Sequence, residues 1–562
     1  MTTTLKHKNR LIGSAMVFSI AISIGATAQE TTPVFTTELA QRDAQPAPPG
    51  ERSVLGMRIL QSDIANQRLR LLQIIQQGER IFTSQFNQYD GHGDGPFQTG
   101  DDNVSSGQRP SLQNNGQFLR VNGLDSQSCN ECHTIISNAT TPPILGVGGA
   151  GGVAQNAMAA MQQIDAADLD GDGVANINDA SRQTSGRFIN PPFILGSGGV
   201  EQIGKEMTAD LQALKAQAIA NPGQVVALIT KGISFGEIVA DARGNIDTSG
   251  IQGIDEDLAV KPFGRKGSFS TTREFDTDAA SFHFGIQAIE LVGVGVDGDN
   301  DGVVNELTIG EVSALAIHSA LLPAPAQRMP RGTLRRSVRR GERLFESEGC
   351  SSCHTPTLHT ESRQINFSFP VVPTEPHSNI YYSAPLKLAR FKPSQLTDGV
   401  EVPMFSDLKR HDMGSGLAES TASPLASQFI TPRLWGVADT APYLHDGRAI
   451  TLTAAIDMHG GEGQFAADNF NRLFADEKES LLDFLRSLRT PGSNYIGPRH
   501  PNPFERRDSI DNQNDYQNDN DRYEQDVHPN EQYLPEAGVR TREQALHFSW
   551  RSHFQNGSSE NR

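Results

Sequence analysis

Hydrophobic residues recur with a helical period in four segments of the chain. Residues 57–75, 201–220, 309–321 and 476–488 place apolar side chains at intervals of about three or four residues, which predicts helices with one buried face. Thr308 and Glu311 form a capping box ahead of the third segment. The pattern is that of a protein built mainly from α-helices.

An apolar run also opens the chain, but its length and flanks differ from those of a core helix. Residues 11–25 follow three basic residues and end in the small residues Ala26, Thr27 and Ala28. A bilayer span needs about 20 apolar residues, so a signal peptide, residues 1–28, is favoured over a membrane anchor. We expect a periplasmic or secreted protein that has no membrane span after cleavage.

Two further segments lack an apolar period. Residues 29–55 are rich in Thr, Gln, Pro and Ala and predict a linker, while Asn, Asp, Gln, Arg and Glu dominate residues 496–562 and predict a disordered polar tail. A chain of 562 residues suits two or three domains. Its formal net charge of −18 argues against nucleic acid or an anionic membrane surface as a partner.

The four cysteines all lie in two copies of the pattern C-x-x-C-H. This pattern is typical of c-type haem attachment, in which two thiols form thioethers with the porphyrin and the adjacent imidazole ligates the iron. A structural zinc site or a redox cysteine pair, the two alternatives, would not account for a histidine after both pairs. The sequence predicts two covalent haems bound by Cys129, Cys132, His133, Cys350, Cys353 and His354.

Other landmarks recur around the two C-x-x-C-H motifs. GERIF at 78–82 and GERLF at 341–345 precede them, and an F-I-x-P segment follows each, at 188–191 and at 429–432. A fixed order of landmarks indicates internal duplication. We therefore predict a mainly α fold of two duplicated cytochrome c-like haem domains with long loops, at 56–325 and 326–495.

Two aspartate-rich loops follow the spacing of an EF-hand calcium loop, in which oxygen ligands alternate around a glycine. Position 12 is Asp179 in the first loop and Thr308 in the second, where it also fits the helix cap. An Asx-rich turn without metal is the alternative for both loops. The predicted calcium ligands are Asp168, Asp170, Asp172, Asn176 and Asp179, and then Asp297, Asp299, Asp301 and Asn305.

Three motifs in the second half carry a family resemblance. They are F-S-D-x-x-x-H-D-M-G at 405–414, T-P-x-L-W-G at 431–436 and P-Y-L-H-D-G-R at 442–448. Together with the two C-x-x-C-H motifs, they make the chain similar to the bacterial di-haem cytochrome c peroxidase superfamily, and within it to the di-haem oxidoreductase branch. The resemblance implies two facing cytochrome c folds, with peroxide chemistry at the N-terminal haem and an electron relay at the other.

The resemblance also implies site residues. The loop after P-Y-L-H-D-G places His459 at the distal ligand position of the haem on His354, with Met413 as the competing ligand. The bridging tryptophan of the family has no counterpart in the first half. Candidates for the distal acid or base are Glu201, Glu206, His283 and Gln287, although solvated helix charges and a satisfied interior histidine are the plainer interpretations.

The resemblance predicts a peroxidase-like oxidoreductase with calcium as an additional ion. It would reduce hydrogen peroxide or a similar oxidant with electrons from a small redox protein. Two alternatives stay open at this point: a di-haem electron-transfer protein without catalysis, and a di-haem oxidase or oxygenase that acts on a partner protein or polymer.

Overall fold

The computed structural model describes residues 52–56, 58–92, 128–133, 190–298, 302–419 and 425–491. All of them lie in the first of two compact units, residues 1–500, whereas the second unit is 501–562. The predicted signal peptide, most of the linker, the first calcium loop and the polar tail fall outside the described residues. No helix in the described ranges is long and apolar enough to cross a membrane.

Helices occur before, between and after the two cysteine motifs. Their bounds are α1 Gln61–Ala65, α2 Leu71–Thr83, α3 Cys129–Cys132, α4 Ser197–Ala220, α5 Thr272–Ala279, α6 Ile289–Val292, α7 Ile309–Ala320, α8 Gly332–Ser347, α9 Leu452–Asp457, α10 Gln464–Arg472 and α11 Ala475–Ser487. A π-helical turn, Ala280–Phe284, continues α5.

The strands form small antiparallel sheets. Their bounds are β1 Val225–Thr230, β2 Ile233–Ala240, β3 Ile246–Asp247, β4 Ala326–Gln327, β5 Leu358–His359, β6 Gln364–Ser368, β7 Ile380–Pro385, β8 Glu401–Val402, β9 Arg410–Asp412, β10 Gln428–Ile430 and β11 Leu488–Arg489. The sheets are β1-β2-β3, β5-β8, β6-β7, β9-β10 and β4-β11. The β9-β10 pair opposes His411 and Phe429.

The predicted fold class is therefore wrong. Among the described residues only 38% are helical and 15% are in strands, which is not clearly mainly α, and the duplication is not shown there. The strands stand in segments that the helical pattern left unassigned. In β1, burial alternates residue by residue, which is the period of a strand with one face on the core.

Two helix crossings hold the cysteine motifs in place. Helix α2 crosses α7 at Gly78, where an added Cβ would lie 2.2 Å from the carbonyl oxygen of Ala314. Helix α8 crosses α11 at Gly341, where an added Cβ would lie 1.8 Å from the carbonyl oxygen of Ser480. Glycine is needed at both positions because the helix backbones touch there without a side chain between them.

The segment before α4 packs against the second-half motifs. The side chain of Asn190 donates to the carbonyls of Pro442 and Leu444, at 3.0 and 2.8 Å. The buried ring of Trp435 covers Gly196, where an added Cβ would meet it at 2.8 Å. The T-P-x-L-W-G and P-Y-L-H-D-G-R segments thus fasten the part of the chain around α4 to the part that carries His354.

Candidate functional site

The second cysteine motif directly follows helix α8. The helix ends at Ser347, Gly349 turns the chain with a φ of +92°, and Cys350–Ser352 form a 3₁₀ turn. Phe345, on the buried face of α8, lies 6.3 Å from the ring of His354 between centroids. The cysteine motif therefore begins directly where a well-packed helix ends, which fixes the position of the histidine.

His354 and His459 face each other. Their ring centroids are 6.5 Å apart and their planes are inclined by 58°. An imidazole nitrogen that ligates a metal lies about 2 Å from it, so two rings on opposite sides of one iron have centres roughly 6 Å apart. The separation observed would allow His354 and His459 to hold one haem iron between them.

Hydrogen bonds orient both rings for this role. Nδ1 of His354 lies 3.1 Å from the carbonyl oxygen of Phe405, and Nδ1 of His459 lies 2.7 Å from the carbonyl oxygen of Ala455. A nitrogen that donates to a backbone carbonyl leaves Nε2 as the metal-binding atom. Burial, with the neighbouring His459, lowers the pKa of His354 to about 4, and burial lowers that of His459, so both rings are neutral at pH 7 as iron ligation requires.

A cluster of one histidine and two acidic side chains joins the two ligand loops, with Asp407 and His411 buried and Glu462 about half exposed. His411 lies 2.9 Å from Asp407 through Nε2 and 2.7 Å from Glu462 through Nδ1. Burial opposes a charge on this ring, but the bonds to Asp407, Cys353 and Glu462 outweigh it and raise the pKa of His411 to about 11. His411 is therefore an imidazolium between two carboxylates, 3.9 Å from the sulfur of Cys353.

The same cluster fixes the loop that carries His459. Glu462 accepts a second hydrogen bond, from the backbone N–H of Asp412 at 2.9 Å. Gly461, with a φ of +53°, lets this loop approach β9 so closely that an added Cβ would lie 2.1 Å from the carbonyl oxygen of Asp412. Cys353, Asp407 and His411 could also bind a metal ion, but the paired imidazolium accounts for them without one.

The part of the chain that contains this site is similar to a known protein family. The family model described as "Di-haem oxidoreductase, putative peroxidase" matches residues 286–488. This part of the chain is similar to the di-haem oxidoreductase family. The match contains His354, His459 and the His411 cluster, and haem is the cofactor that the family implies.

Curated relatives are cytochrome c peroxidases. Cytochrome-c peroxidase IdrP1 of Pseudomonas sp. (strain SCT) is 25% identical over 190 residues, which cover 31% of this chain and 48% of the relative. Cytochrome-c peroxidase IdrP2 of Denitromonas iodatirespirans is 27% identical over 183 residues, 32% of this chain and 47% of the relative. The chain thus matches about half the length of these relatives.

Among solved structures, hydrazine synthase of Kuenenia stuttgartiensis under xenon pressure is similar at 17% identity. The similarity covers 46% of this chain and 78% of that chain, with a TM-score of 0.24. A superposition of that quality says nothing further about the site. The family model and the curated relatives thus make this part of the chain similar to peroxidase-like oxidoreductases.

The first cysteine motif lies outside the residues matched to the di-haem oxidoreductase family. Cys129–Cys132 form α3, and the N–H of His133 donates to the carbonyl of Cys129 at 2.8 Å. Burial, with His283 nearby, lowers the pKa of His133 to about 3. His283, in the π-helical turn after α5, lies close enough for its charge to act on His133. The sequence analysis had named both residues without linking them.

The two glutamates named as distal acids are held in ion pairs instead. Glu201 lies 2.6 Å from Nζ of Lys205 and accepts from the N–H and hydroxyl of Thr272, both at 2.8 Å. Glu206 lies 2.7 Å from Nζ of Lys231 and accepts from the N–H of Glu361 at 2.9 Å. Their plain interpretation as solvated charges is also wrong, because both side chains are buried.

The remaining candidates lie around the second calcium-type loop. The side-chain oxygen of Gln287 accepts from the N–H of Gly298 at 3.0 Å, and the backbone N–H of Gln287 donates to the carboxylate of Glu306 at 2.7 Å. Both bonds stabilise that loop. Asp297 accepts from Gly302 at 3.0 Å and Asn305 from Gly295 at 2.7 Å. The capping box of Thr308 and Glu311 on α7 is confirmed. Asp299 and Asp301 fall outside the described residues.

Sequence reasoning missed the residues that position the ligands. The carbonyl of Phe405 and the side chains of Asp407 and His411 all come from the F-S-D-x-x-x-H-D-M-G motif, in which only Met413 was considered. The spacing of Asp407 and His411 gave a usable indication, because an acidic residue four positions from a histidine can bond it. Glu462 could not be found this way, since it joins the cluster only through the fold.

Proposed function

We propose that the protein is an exported di-haem c-type cytochrome that reduces hydrogen peroxide at one haem with electrons relayed through the other. The observation that carries this proposal is the facing pair His354 and His459, 6.5 Å apart between ring centroids. Two histidines on one iron leave no position for peroxide, so this haem is suited to transfer electrons. Reaction with peroxide then falls to the haem on His133.

Attachment follows from the cysteines beside the histidines. Cys350 and Cys353 hold the relay haem, and Cys129 and Cys132 hold the reacting haem. When bound, haem supplies one-electron redox chemistry that no amino-acid side chain here can supply. The Asp407–His411–Glu462 cluster keeps a fixed charge distribution beside the thioether of Cys353 and fastens the loop of His459.

His283 is the distal acid and base in this proposal. Reduction of peroxide to two waters consumes two electrons and two protons, and a positioned imidazole can move a proton between the peroxide oxygens. Glu201 and Glu206 already neutralise lysines, so they are poor donors. The nearness of His283 to His133, whose pKa it helps to lower, is what supports this role.

Calcium and export complete the proposal. The loop from Asp297 to Asn305 is proposed as a calcium loop that rigidifies the approach to α7, where hard oxygen ligands offer no redox chemistry. The residues of the first loop are proposed to act in the same way. The signal peptide, residues 1–28, is proposed to direct the protein to the periplasm or the exterior, where cysteines can be attached to haem.

A di-haem electron carrier is the second candidate, and the same residue favours it. If His283 ligates the iron on His133, both irons are closed and the protein transfers electrons without consuming peroxide. The two functions therefore assign different roles to one side chain, which makes His283 the residue to change.

The test is His283→Ala in the full-length haem protein, with His459→Ala as the matched variant at the other haem. The peroxidase predicts turnover by the wild type and a loss of about 10²-fold or more in the His283 variant, with the ferric spin state at that haem unchanged. The carrier predicts no peroxide consumption by the wild type and a new high-spin signal in the variant. That second pattern would overturn the proposed function.

A further inference from the structure

Helix α8 carries a row of exposed arginines that the site does not use. Arg335, Arg336, Arg339 and Arg343 are all exposed. At 3.6 residues per turn they fall within about 100° of one another around the helix. Val338, Gly341 and Phe345 are buried on the opposite side. We define the four arginines as the arginine face.

The arginine face has no ionic partner among the residues that the structure describes. By contrast, the neighbouring Arg340 pairs with Asp476 at 2.6 Å and Glu477 at 2.9 Å. Glu346 lies within the arc of the face and Glu342 at its edge, and both reduce its positive charge, but four cations outnumber two anions. In a chain with a formal net charge of −18, such a concentration of unpaired positive charge needs a reason.

The position of the arginine face relative to the proposed relay haem supplies a reason for this charge. Phe345, on the inner side of the same helix, lies 6.3 Å from the ring of His354. A helix with its side chains is about 10 Å across. Arg343, two positions before Phe345, is the part of the arginine face nearest to His354, whereas Arg335 lies about 15 Å from Phe345 along the helix axis. A carrier protein bound near Arg343 therefore approaches the haem on His354 most closely.

An exposed aromatic ring stands beside the cysteine motif. Phe465 is 68% exposed, and its ring carbon Cδ1 lies 3.7 Å from the position that a Cβ on Gly349 would occupy. Gly349 directly precedes Cys350. An exposed apolar ring at the haem motif, with cations on the adjoining helix, is the arrangement of a small transient interface with an apolar centre and a charged rim.

From these observations we propose that the arginine face and Phe465 form the docking surface for an acidic one-electron carrier protein. The carrier binds with carboxylates around its own redox centre, passes one electron to the ferric haem on His354, and is thereby oxidised by one electron. Because the chain carries a formal net charge of −18, attraction at this face also orients such a partner. This inference rests on the proposed haem at His354, but not on peroxide chemistry.

The test uses the oxidised full-length haem protein and reduced plant-type ferredoxin, an acidic one-electron carrier, as the probe. Haem reduction is followed by stopped-flow absorbance at about 0.01 M salt, where charges interact over about 30 Å, and at about 1 M, where they interact over about 3 Å. The variant is Arg335→Glu with Arg339→Glu and Arg343→Glu. The matched control is Arg243→Glu with Lys387→Glu and Lys392→Glu, exposed residues of other elements, which changes the net charge equally.

The docking surface predicts a fall of about tenfold or more in the second-order rate for the arginine variant at low salt. The control should change by less than about threefold, and all three proteins should converge at high salt. Equal rates in both variants would overturn the proposal. So would arginine-dependent binding of a heparin fragment with unchanged reduction by ferredoxin, which would indicate a polyanion site.

Dithionite separates this outcome from failure of the proposed function. If dithionite reduces the haem in all three proteins, and ferredoxin reduces it equally fast in the wild type and the arginine variant, only the docking inference fails. If no covalent haem is found on Cys350 and Cys353, the proposed function fails first, and the docking inference fails with it. If peroxide turnover is absent but the arginine dependence is present, the docking inference stands alone.

Discussion

Replacement of Gly341 by alanine tests whether the α8–α11 crossing governs the stability of the second haem site. Gly341 lies inside α8, where intrinsic propensity favours alanine over glycine by about 1 kcal/mol. Propensity alone therefore predicts a more stable protein. The packing predicts the opposite, because the added Cβ would lie 1.8 Å from the carbonyl oxygen of Ser480 and 2.9 Å from Cα of Leu481.

The size of the effect follows from that clash. Non-bonded carbon and oxygen atoms need roughly 3.5 Å, so α8 and α11 would have to separate by about 1.5 Å or more. Overpacking of this kind costs about 1–3 kcal/mol and sometimes more, since the obstacle is backbone rather than a flexible side chain. After the gain in helix propensity, we expect a net loss of about 2 kcal/mol. Phe345, one turn further along, would also move relative to Phe484, now 5.2 Å away between centroids.

Urea unfolding followed by far-UV circular dichroism measures this change directly. Gly416→Ala is the matched control, because a Cβ there meets no atom within 4 Å, and its midpoint should equal that of the wild type. A Gly341→Ala protein that is as stable as the wild type, or more so, would refute the packing argument. Helix propensity would then decide the stability of the variant.

Three further predictions concern the ionisable residues. His459→Ala should convert one haem from low spin to high spin in electron paramagnetic resonance, and free imidazole should restore the low-spin signal; an unchanged spectrum would remove His459 as a ligand. The raised pKa of His411, about 11 against 6.5 unperturbed, stabilises the fold fully below pH 6.5 and progressively less up to pH 11. The excess unfolding free energy of the wild type over His411→Gln should shrink across that window, and a constant difference would contradict the ion cluster. Burial and the nearby Glu201 raise the pKa of Asp276 well above its usual value against the opposing influence of Ser319 and Arg273, so Asp276→Asn should cost less than about 1 kcal/mol in thermal unfolding. Glu201→Gln, which removes the carboxylate that pairs with Lys205, should lower the free energy of unfolding by about 3 kcal/mol. Equal losses in the Asp276 and Glu201 variants would refute the assignment of a neutral Asp276 beside an ion-paired Glu201.

Some local features of the sequence agree with what the structure brings together around His354. The C-x-x-C-H pattern predicts haem attachment, which stays a prediction, and the loop after P-Y-L-H-D-G led to His459, whose ring centroid lies 6.5 Å from that of His354. Both rest on residues whose meaning depends on near neighbours in the chain. The capping box at Thr308 was predictable for the same reason, since its two members are three positions apart.

The features that failed depend on distant contacts. Glu201 looked like an available acid because the sequence does not show that Thr272, 71 positions away, donates to it in a buried layer. Its pairing with Lys205, four positions away, could have been predicted from the spacing. The mainly α assignment failed because the strands of residues 225–247 and 358–402 are short, and period-2 burial over two to eight residues is a weak pattern beside a long helix. The approach of His283 to His133 likewise spans 150 positions of sequence, which periodicity does not register.

One haem closed by two histidines and a second haem open to peroxide can be told apart by electron paramagnetic resonance. The spectrum is recorded on the purified oxidised protein, then after one-electron reduction, and again after addition of hydrogen peroxide. The account predicts one low-spin ferric haem, held by His354 and His459, whose ferric form never binds peroxide. It also predicts a second haem whose signal peroxide consumes. Two low-spin signals that both ignore peroxide at every stage would contradict the account and leave an electron carrier.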